Sequence, residues 1–352
     1  MAPENLLVTG GAGFIGSNFV RYWHRHYPHC RLIVLDALTY AGRKANLGAL
    51  LEHPKIEFVQ GDICDRARVD HILKTYAIDT LVHFAAESHV DRSIQGPAAF
   101  VQTNIVGTFT LLEAFCAHWR TLGHPTQARF LHVSTDEVYG SLGPLDPPFT
   151  ETSPYAPSSP YSASKAGSDH LVRAYHRTYG LPTLIANASN NYGPYQFPEK
   201  FIPLMCLNIL LGKPLPIYGD GQNIRDWLFV EDHCRALDAV LHRAHPGATY
   251  NIGGQSEIKN IDLVILLCDL MNELAPELPV RPAQELITFV RDRPGHDFRY
   301  ATDISKLVAN LGWQPSISLD QGLSKTASWY LSHSSWWTPL LSRETTVPSP
   351  PS

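Results

Sequence analysis

The sequence predicts an α/β protein: a Rossmann-type, doubly wound parallel sheet followed by a smaller, mixed α/β carboxyl-terminal substrate domain. Three observations predict it. Short apolar runs alternate with amphipathic stretches through the first half of the chain. A glycine-rich turn, Gly10-Gly11-Ala12-Gly13-Phe14-Ile15-Gly16, directly follows the first of these runs. An acidic residue, Asp36, stands twenty positions past Gly16, at the end of the second run.

The runs Leu6 to Val8, Leu32 to Leu35, Ile56 to Val59, Thr80 to Phe84, Phe130 to Val133 and Thr183 to Ala186 read as buried parallel strands separated by helices. Ligands of such a sheet bind beyond the carboxyl ends of its strands, and the motifs described below stand just past those ends. From Asn190 the rhythm changes: Pro194, Pro198, Pro203, Pro214 and Pro216 break the chain into loops and short helices before a hairpin-like stretch, Leu215 to Val230, around Gly219-Asp220-Gly221. The run Ala248 to Gly254 reads as one more strand of the first sheet, so the chain is expected to cross back. The expected division is therefore discontinuous: residues 1–190 with 226–255 form an NAD-binding domain, and 191–225 with 256–340 form the smaller one. A tail over 341–352, rich in Pro, Ser and Thr, has little to bury and is expected to be disordered.

With 352 residues, 44% of them hydrophobic, the chain can bury a large core in one big domain or two smaller ones. Lys plus Arg number 28 against 33 Asp plus Glu, a net charge of -5, which provides no global basic field for nucleic acid or an anionic membrane. An anionic ligand would need a local cluster of cations. The six cysteines, Cys30, Cys64, Cys116, Cys206, Cys234 and Cys268, show no CxxC spacing and fit reduced thiols better than a disulfide or metal framework. His24, His26 and His29 show no ligand spacing either. The chain opens almost directly into the glycine-rich turn, and the longest apolar stretch, Phe201 to Leu211, is too short to span a bilayer. A cytoplasmic protein without a metal is the expectation.

Gly10 permits the tight turn out of the strand, Gly13 lets backbone approach a pyrophosphate, and Gly16 lets the helix pack closely, with its amino terminus facing the phosphate charge. Glycines alone can make a turn with no ligand; Asp36 tips the reading toward a dinucleotide. Its carboxylate can accept from ribose hydroxyls and would repel an added 2′-phosphate, which favours NAD over NADP. Arg43 lies nearby, but a lone arginine is more often solvated. The GxxGxxG spacing resembles that of the short-chain dehydrogenase/reductase superfamily.

Tyr161 and Lys165 are four apart, behind Ser158, Ser159 and Pro160, a start signal that places both on one helical face. An ammonium roughly 4 Å from a phenol, at an effective dielectric near 20, contributes about 4 kcal/mol, or on the order of three pKa units below the ordinary value of about 10. Tyr161 can then take a hydroxyl proton as hydride leaves the same carbon. A YxxxK pair on its own is common by chance; the nucleotide turn ahead of it is what gives it meaning. Thr135-Asp136-Glu137 follows the run Phe130 to Ser134 and brings two carboxylates to the mouth of the sheet. Adjacent side chains on an extended strand point oppositely, so both reach one ligand only if the chain turns there. Otherwise Asp136 is a cap and Glu137 a solvated charge.

Longer motifs sharpen this. STDEVYG (Ser134 to Gly140), YSASK (Tyr161 to Lys165), NNYGPYQFPEKFIP (Asn190 to Pro203), IYGDGQNIRDW (Ile217 to Trp227), YNIGG (Tyr250 to Gly254) and DRPGHD (Asp292 to Asp297) resemble, in order, those of the dTDP-glucose 4,6-dehydratases. The similarity runs from about Asn5 to about Tyr330. It implies a lyase that converts dTDP-glucose to its 4-keto-6-deoxy form in deoxysugar (rhamnose-type) biosynthesis. Tyr161 would act at the 4-hydroxyl with Lys165 beside it, and Thr135 would bond the sugar. Glu137 would be the base at C5, and Asp136, held protonated, the acid for the 6-hydroxyl. NAD would be regenerated each turnover and stay tightly bound. The resemblance further implies that Asp62, Ile63, Ala85, Ser88, Thr103 and Asn191 flank the cofactor together with Gly10, Gly13, Phe14, Ile15, Gly16 and Asp36. Ser88, Asn190, Lys200, Arg225, Asn260, Arg293 and His296 would line the sugar-nucleotide site, and the similar proteins are homodimers joined through helices here placed around Phe100 to His118 and Tyr161 to Tyr179. The alternatives are a 4,6-dehydratase acting on another nucleotide, a 4-epimerase, a decarboxylase, or, in a different class, a non-catalytic NAD-binding regulator. The Asp136-Glu137 pair speaks against the epimerase and decarboxylase, and intact Tyr161 and Lys165 against the regulator.

Overall fold

A computed structural model describes residues 3–341. Twelve strands form three sheets: β1 (Asn5–Thr9), β2 (Arg31–Asp36), β3 (Ile56–Gln60), β4 (Thr80–His83), β5 (Arg129–Thr135), β6 (Thr183–Ala188), β7 (Asn190–Tyr192), β8 (Leu215–Tyr218), β9 (Ile224–Phe229), β10 (Thr249–Ile252), β11 (Glu257–Lys259) and β12 (Ile287–Val290). Seven make one parallel sheet in the order β10-β6-β5-β4-β1-β2-β3. The order reverses across β1 and β4, which opens a crevice above their carboxyl ends. The run 248–254 contains β10, at the sheet edge beside β6.

The central strands are apolar throughout because both faces are covered. Leu6 and Val8 point into one core with Phe19 and Trp23 of helix Phe14–His26 and Leu237 and Val240 of helix Val230–Arg243. Leu7 points the other way, toward Phe115 of helix Thr108–Thr121 and Val172 of helix Pro160–Tyr179. A separate core gathers Met205 and Leu207 of helix Phe201–Leu211, Leu267 and Met271 of helix Asn260–Leu274, and Tyr192, Trp227, Tyr330 and Trp336. Its small sheets are β11-β9-β7 and β12-β8.

The stretch 215–230 is not a hairpin. β8 pairs in parallel with β12, and β9 pairs with β7 and β11. The Gly219–Asn223 segment turns too far for the two strands to meet: Gly219 donates its N–H to the Val290 carbonyl of β12, while Gly221 and Asn223 accept from Ile261 and Asn260. Those contacts pull the two strands to different partners. The expected tail lies outside the described residues apart from Leu341, which ends helix Ser334–Leu341. A second correction concerns the apolar helices. Pro97–Thr121 runs as one helix of 25 residues, long and apolar enough to cross a membrane, yet 56% of its most apolar window is buried within the protein.

Candidate active site

A cleft of about 330 Å³ opens along the carboxyl ends of β1, β2, β4, β5 and β6. Gly10, Gly13, Phe14, Ile15, Gly16, Asp36, Asp62, Ile63, Ala85, Ser88, Thr103, Tyr161, Lys165 and Asn191 all line it, as do Thr135, Glu137, Asn190 and Lys200. Gly10 has φ +69, and a Cβ there would lie 2.6 Å from the Ala85 nitrogen. A Cβ at Gly16 would overlap the Gly10 carbonyl, whereas one at Gly13 meets only that same carbonyl, at 3.2 Å. The Asp36 carboxylate is buried at the end of β2 and accepts from the N–H groups of Ala12 (2.9 Å) and Leu38 (2.8 Å). Burial pushes its proton affinity up and those two bonds pull it back. Arg43 is outside the lining; its guanidinium donates to the Trp336 carbonyl at 3.3 Å.

Helix Pro160–Tyr179 begins with a reciprocal cap: Ser159 Oγ accepts from the Ser162 N–H, and Ser162 Oγ from the Ser159 N–H. Pro160 occupies the first turn, so Tyr161 and Lys165 face the cleft from one side. The structure reverses the expected direction for Tyr161. Burial and, next, the Glu137 carboxylate hold the phenol well above its ordinary value. Lys165 Nζ is turned to the Val133 carbonyl of β5, 2.8 Å away, and burial brings its ammonium down to about 8. Desolvation of the phenol therefore outweighs the lysine in this arrangement.

β5 ends at Thr135 and the chain turns at once into a single 3₁₀ turn, Asp136–Tyr139, capped by Thr135 Oγ accepting from the Glu137 N–H at 3.3 Å. That turn sends the two carboxylates to different depths. Glu137 lines the cleft; Asp136 is fully buried behind it, with Oδ1 accepting from the Thr135 hydroxyl at 3.4 Å and Oδ2 without a partner. Burial, then Glu137 and Asp226, drive the Asp136 carboxyl well above its ordinary value, which favours the protonated form. Burial also raises Glu137, but Arg225 and Lys200 oppose the rise.

Beyond Glu137 lies a cluster of cations. Lys200 is desolvated, its Nζ donating to the Ser88 carbonyl at 2.9 Å. Arg225 is buried on β9, donates to the carbonyls of Ile224 (2.7 Å) and Asp297 (2.9 Å), and stacks over Tyr300 at 4.3 Å. Arg293 pairs with Asp91 at 3.1 Å and lies over Tyr218 at 5.0 Å; His296 is held by Asp292 at 2.6 Å. Arg225, Arg293 and His296 stand outside the cleft lining, but the two arginines act on both Glu137 and His296. Asn260 begins helix Asn260–Leu274, its N–H donating to the Asn223 carbonyl at 2.9 Å, and is outside the lining as well.

The cleft wall also carries residues that motif reading passed over. Tyr40, Phe197, Glu199 and His233 line it, with Arg92 stacked over Tyr40 at 4.1 Å and bonded to Glu199 at 3.0 Å. Phe197 and Glu199 fall within the stretch Asn190 to Pro203 that carries the resemblance, whereas Tyr40 and His233 gave no local signal. Buried polar atoms without partners concentrate on this wall: Ser134 Oγ, Ser189 Oγ, Asn190 Oδ1, Gln196 Oε1, Glu199 Oε1 and His233 Nε2. Such atoms are costly unless a ligand or water meets them, and a polar dinucleotide fits the requirement. Among the described residues no group of three His, Cys, Asp or Glu is placed to hold a metal ion.

Residues 7–326 match the profile of the GDP-mannose 4,6 dehydratase family. The chain is 57% identical over 342 residues to a dTDP-glucose 4,6-dehydratase of Neisseria meningitidis serogroup B, covering 96% of each. It is 54% identical over 341 residues to that of Salmonella typhimurium, covering 94% of each. Among solved structures, a dTDP-glucose 4,6-dehydratase of Streptomyces venezuelae with NAD bound superposes with a TM-score of 0.88 at 47% identity, over 96% of this chain and 99% of that one. A UDP-glucose 4-epimerase of Thermotoga maritima shares the fold (TM-score 0.81) at 28% identity, over 93% of this chain and 98% of that one. By these matches, and by the carboxylate pair in the turn after β5, the chain belongs to the dTDP-glucose 4,6-dehydratases.

Proposed function

We propose that this chain is an NAD-dependent hydro-lyase that dehydrates dTDP-glucose to dTDP-4-keto-6-deoxyglucose in deoxysugar (rhamnose-type) biosynthesis. One observation carries the proposal: a buried Asp136, in surroundings that favour its protonated form, and a cleft-facing Glu137 stand side by side in the turn that ends the strand facing Tyr161 and Lys165. Only an elimination needs a proton donor and a proton acceptor in addition to the group that works at C4.

NAD, when bound, supplies a reversible hydride acceptor, so oxidation at C4 and reduction at C6 cancel and the net change is loss of water. The glycine turn and Asp36 would hold its pyrophosphate and ribose. Tyr161, as its phenolate, takes the proton of the 4-hydroxyl; the Lys165 ammonium favours that ionised form, against a burial that by itself holds the phenol neutral. Thr135 bonds the 4-oxygen. The ketone at C4 acidifies C5, Glu137 takes that proton, and Asp136 gives its own to the departing 6-hydroxyl. Arg225 and Lys200 favour the ionised form of Glu137 that this step needs. Asn190, Lys200, Arg225, Asn260, Arg293 and His296 serve the nucleotide end, where guanidinium forks suit a diphosphate. Residues 1–190 with 226–255 carry the cofactor and 191–225 with 256–340 the nucleotide. The protein works in the cytoplasm as a homodimer. Exposed apolar side chains on the two helices expected to join the subunits, Val101, Val106 and Phe109 on one and Tyr179 on the other, support this reading.

The test is turnover of dTDP-glucose in heavy water, run in parallel with other nucleotide-glucose donors. Deuterium at C5 of a 4-keto-6-deoxy product is expected, with the thymidine donor preferred. An epimerised hexose that keeps its 6-hydroxyl overturns the assignment.

A further inference from the structure

The helix that bears Tyr161 and Lys165 bears a third ionisable group in register with them. Asp169 follows Lys165 by four residues, so the three share one helical face. It is fully buried. Its Oδ2 accepts from the Tyr155 hydroxyl at 2.7 Å and from Asn187 Nδ2 at 3.4 Å, and its Oδ1 lies 3.2 Å from His132 Nε2. Nothing in the reaction uses it.

The groups around it leave it a single cation to serve inside the core. His83 on β4 bonds Thr9 Oγ1 at 2.8 Å and Thr108 Oγ1 at 3.0 Å, and burial drives its imidazole well below the ordinary value. His132 on β5 is brought down to about 4, chiefly by burial and then by Lys165, so at neutral pH it brings no charge to Asp169; its Nε2 and Asp169 Oδ1 face each other at 3.2 Å without a hydrogen bond. Tyr139 and Tyr155 are both held protonated. Arg173, one turn beyond Asp169 at the helix's half-buried edge, donates its guanidinium to the Tyr155 hydroxyl at 2.6 Å and stacks over that ring at 4.6 Å. Burial is the force that lowers Lys165, and among the described residues Asp169 is the carboxylate whose field opposes it. Against its burial, the neighbouring His132 and Lys165 and the hydrogen bond from the Tyr155 hydroxyl hold Asp169 below the ordinary carboxylate range.

We propose that Asp169 is a positioning residue for the reaction: its carboxylate is the buried counter-charge that keeps Lys165 in the ammonium form in the water-poor wall of the cleft. The proposal rests on the reading of Lys165 as the cation that assists Tyr161. A buried lysine without an anion behind it loses its proton near or below neutral pH, and a neutral amine no longer favours the phenolate.

The test titrates Lys165 directly, by the pH dependence of its isotope-labelled Cε signal in the NAD-loaded protein, assigned through the signal that disappears in Lys165→Met. This needs no turnover, so it succeeds or fails separately from the dehydratase assignment. In Asp169→Asn the midpoint is expected to fall by about one unit or more, the usual effect of removing a close opposite charge. The alkaline limb of kcat should move down in parallel, with KM for dTDP-glucose unchanged. His132→Gln, which alters a partner of Asp169 but keeps the carboxylate, should leave the midpoint in place. A merely structural role would lower kcat equally at every pH, and an unmoved midpoint in Asp169→Asn overturns the proposal. Because removing a buried charge can unfold a chain, the substitution is also made in the Lys165→Met background. There Asp169→Asn should cost much less thermal stability than in the wild type; an equal loss in both backgrounds overturns the pairing as well.

Discussion

The two ends of the cleft are built by different physics. At the proposed cofactor end the work is done by backbone: a glycine turn with φ +69 at Gly10, a helix amino terminus, and a carboxylate, Asp36, that ties the turn to the next loop through two N–H groups. At the proposed nucleotide end, just beyond the cleft lining apart from Lys200, it is done by side-chain charge. Lys200, Arg225, Arg293 and His296 come from separate stretches of chain and reach one neighbourhood only because a second core folds beside the first. Local backbone geometry is written in contiguous residues, whereas an assembly of charges is written in tertiary structure. Glu137 stands where the two meet, facing the cofactor cleft while feeling the cations behind it.

The strongest way to sharpen that division is to remove the group at the junction. Glu137→Gln keeps the shape and the cap from Thr135 but loses the base, so dehydration is expected to fall by about 10² to 10⁴, the range for a general base. Oxidation at C4 should still occur, and reduced nicotinamide should accumulate in absorbance while NAD retention and dTDP-glucose binding hold. Wild-type product formation by this variant would remove Glu137 from the mechanism.

The next effect is confined to the cofactor end. In Gly10→Ala the new Cβ stands 2.6 Å from the Ala85 nitrogen at a φ that costs a side chain roughly 1–2 kcal/mol. The protein is expected to purify with little NAD and to melt earlier, while calorimetry still shows dTDP binding close to that of the wild type. Loss of both ligands together would mean that the ends are one coupled unit.

The same division explains what the sequence discloses. The six leading strands, the glycine turn, Asp36 and the helix start at Ser159-Pro160 follow from local pattern, and the cleft gathers them where a doubly wound sheet must. Glu137 and Asp136 are legible as a pair but not as a depth difference, because the 3₁₀ turn that separates them depends on Thr135 capping. Stretch 215–230 reads as a hairpin for want of any sign that β8 belongs to β12, which lies far along the chain. The direction of the Tyr161 shift also escapes motif reading: spacing predicts a neighbouring ammonium, but not the burial that outweighs it or the Val133 carbonyl that holds Lys165. Arg225, Arg293 and His296 carry meaning in the sequence only through resemblance, since no spacing rule joins three residues on different elements.

A third substitution tests the charged end through its influence on the junction. Arg225 is the foremost of the cations that hold the Glu137 carboxyl down against burial. In Arg225→Met that opposition is lost, Lys200 and Arg293 remain, and the Glu137 proton affinity rises. Since Glu137 must be ionised to act, activity present above its pKa is lost at a higher pH on acidification, so the acid limb of kcat moves upward. KM for dTDP-glucose should rise about ten- to hundredfold, the equivalent of the roughly 1.5–3 kcal/mol that a charged hydrogen bond contributes. Arg225→Lys separates the two consequences. It keeps the charge and loses the planar fork, so the acid limb should return toward the wild-type position while KM stays high. If the limb stays put in the methionine variant, the cations do not tune the base, and the nucleotide end serves only to bind.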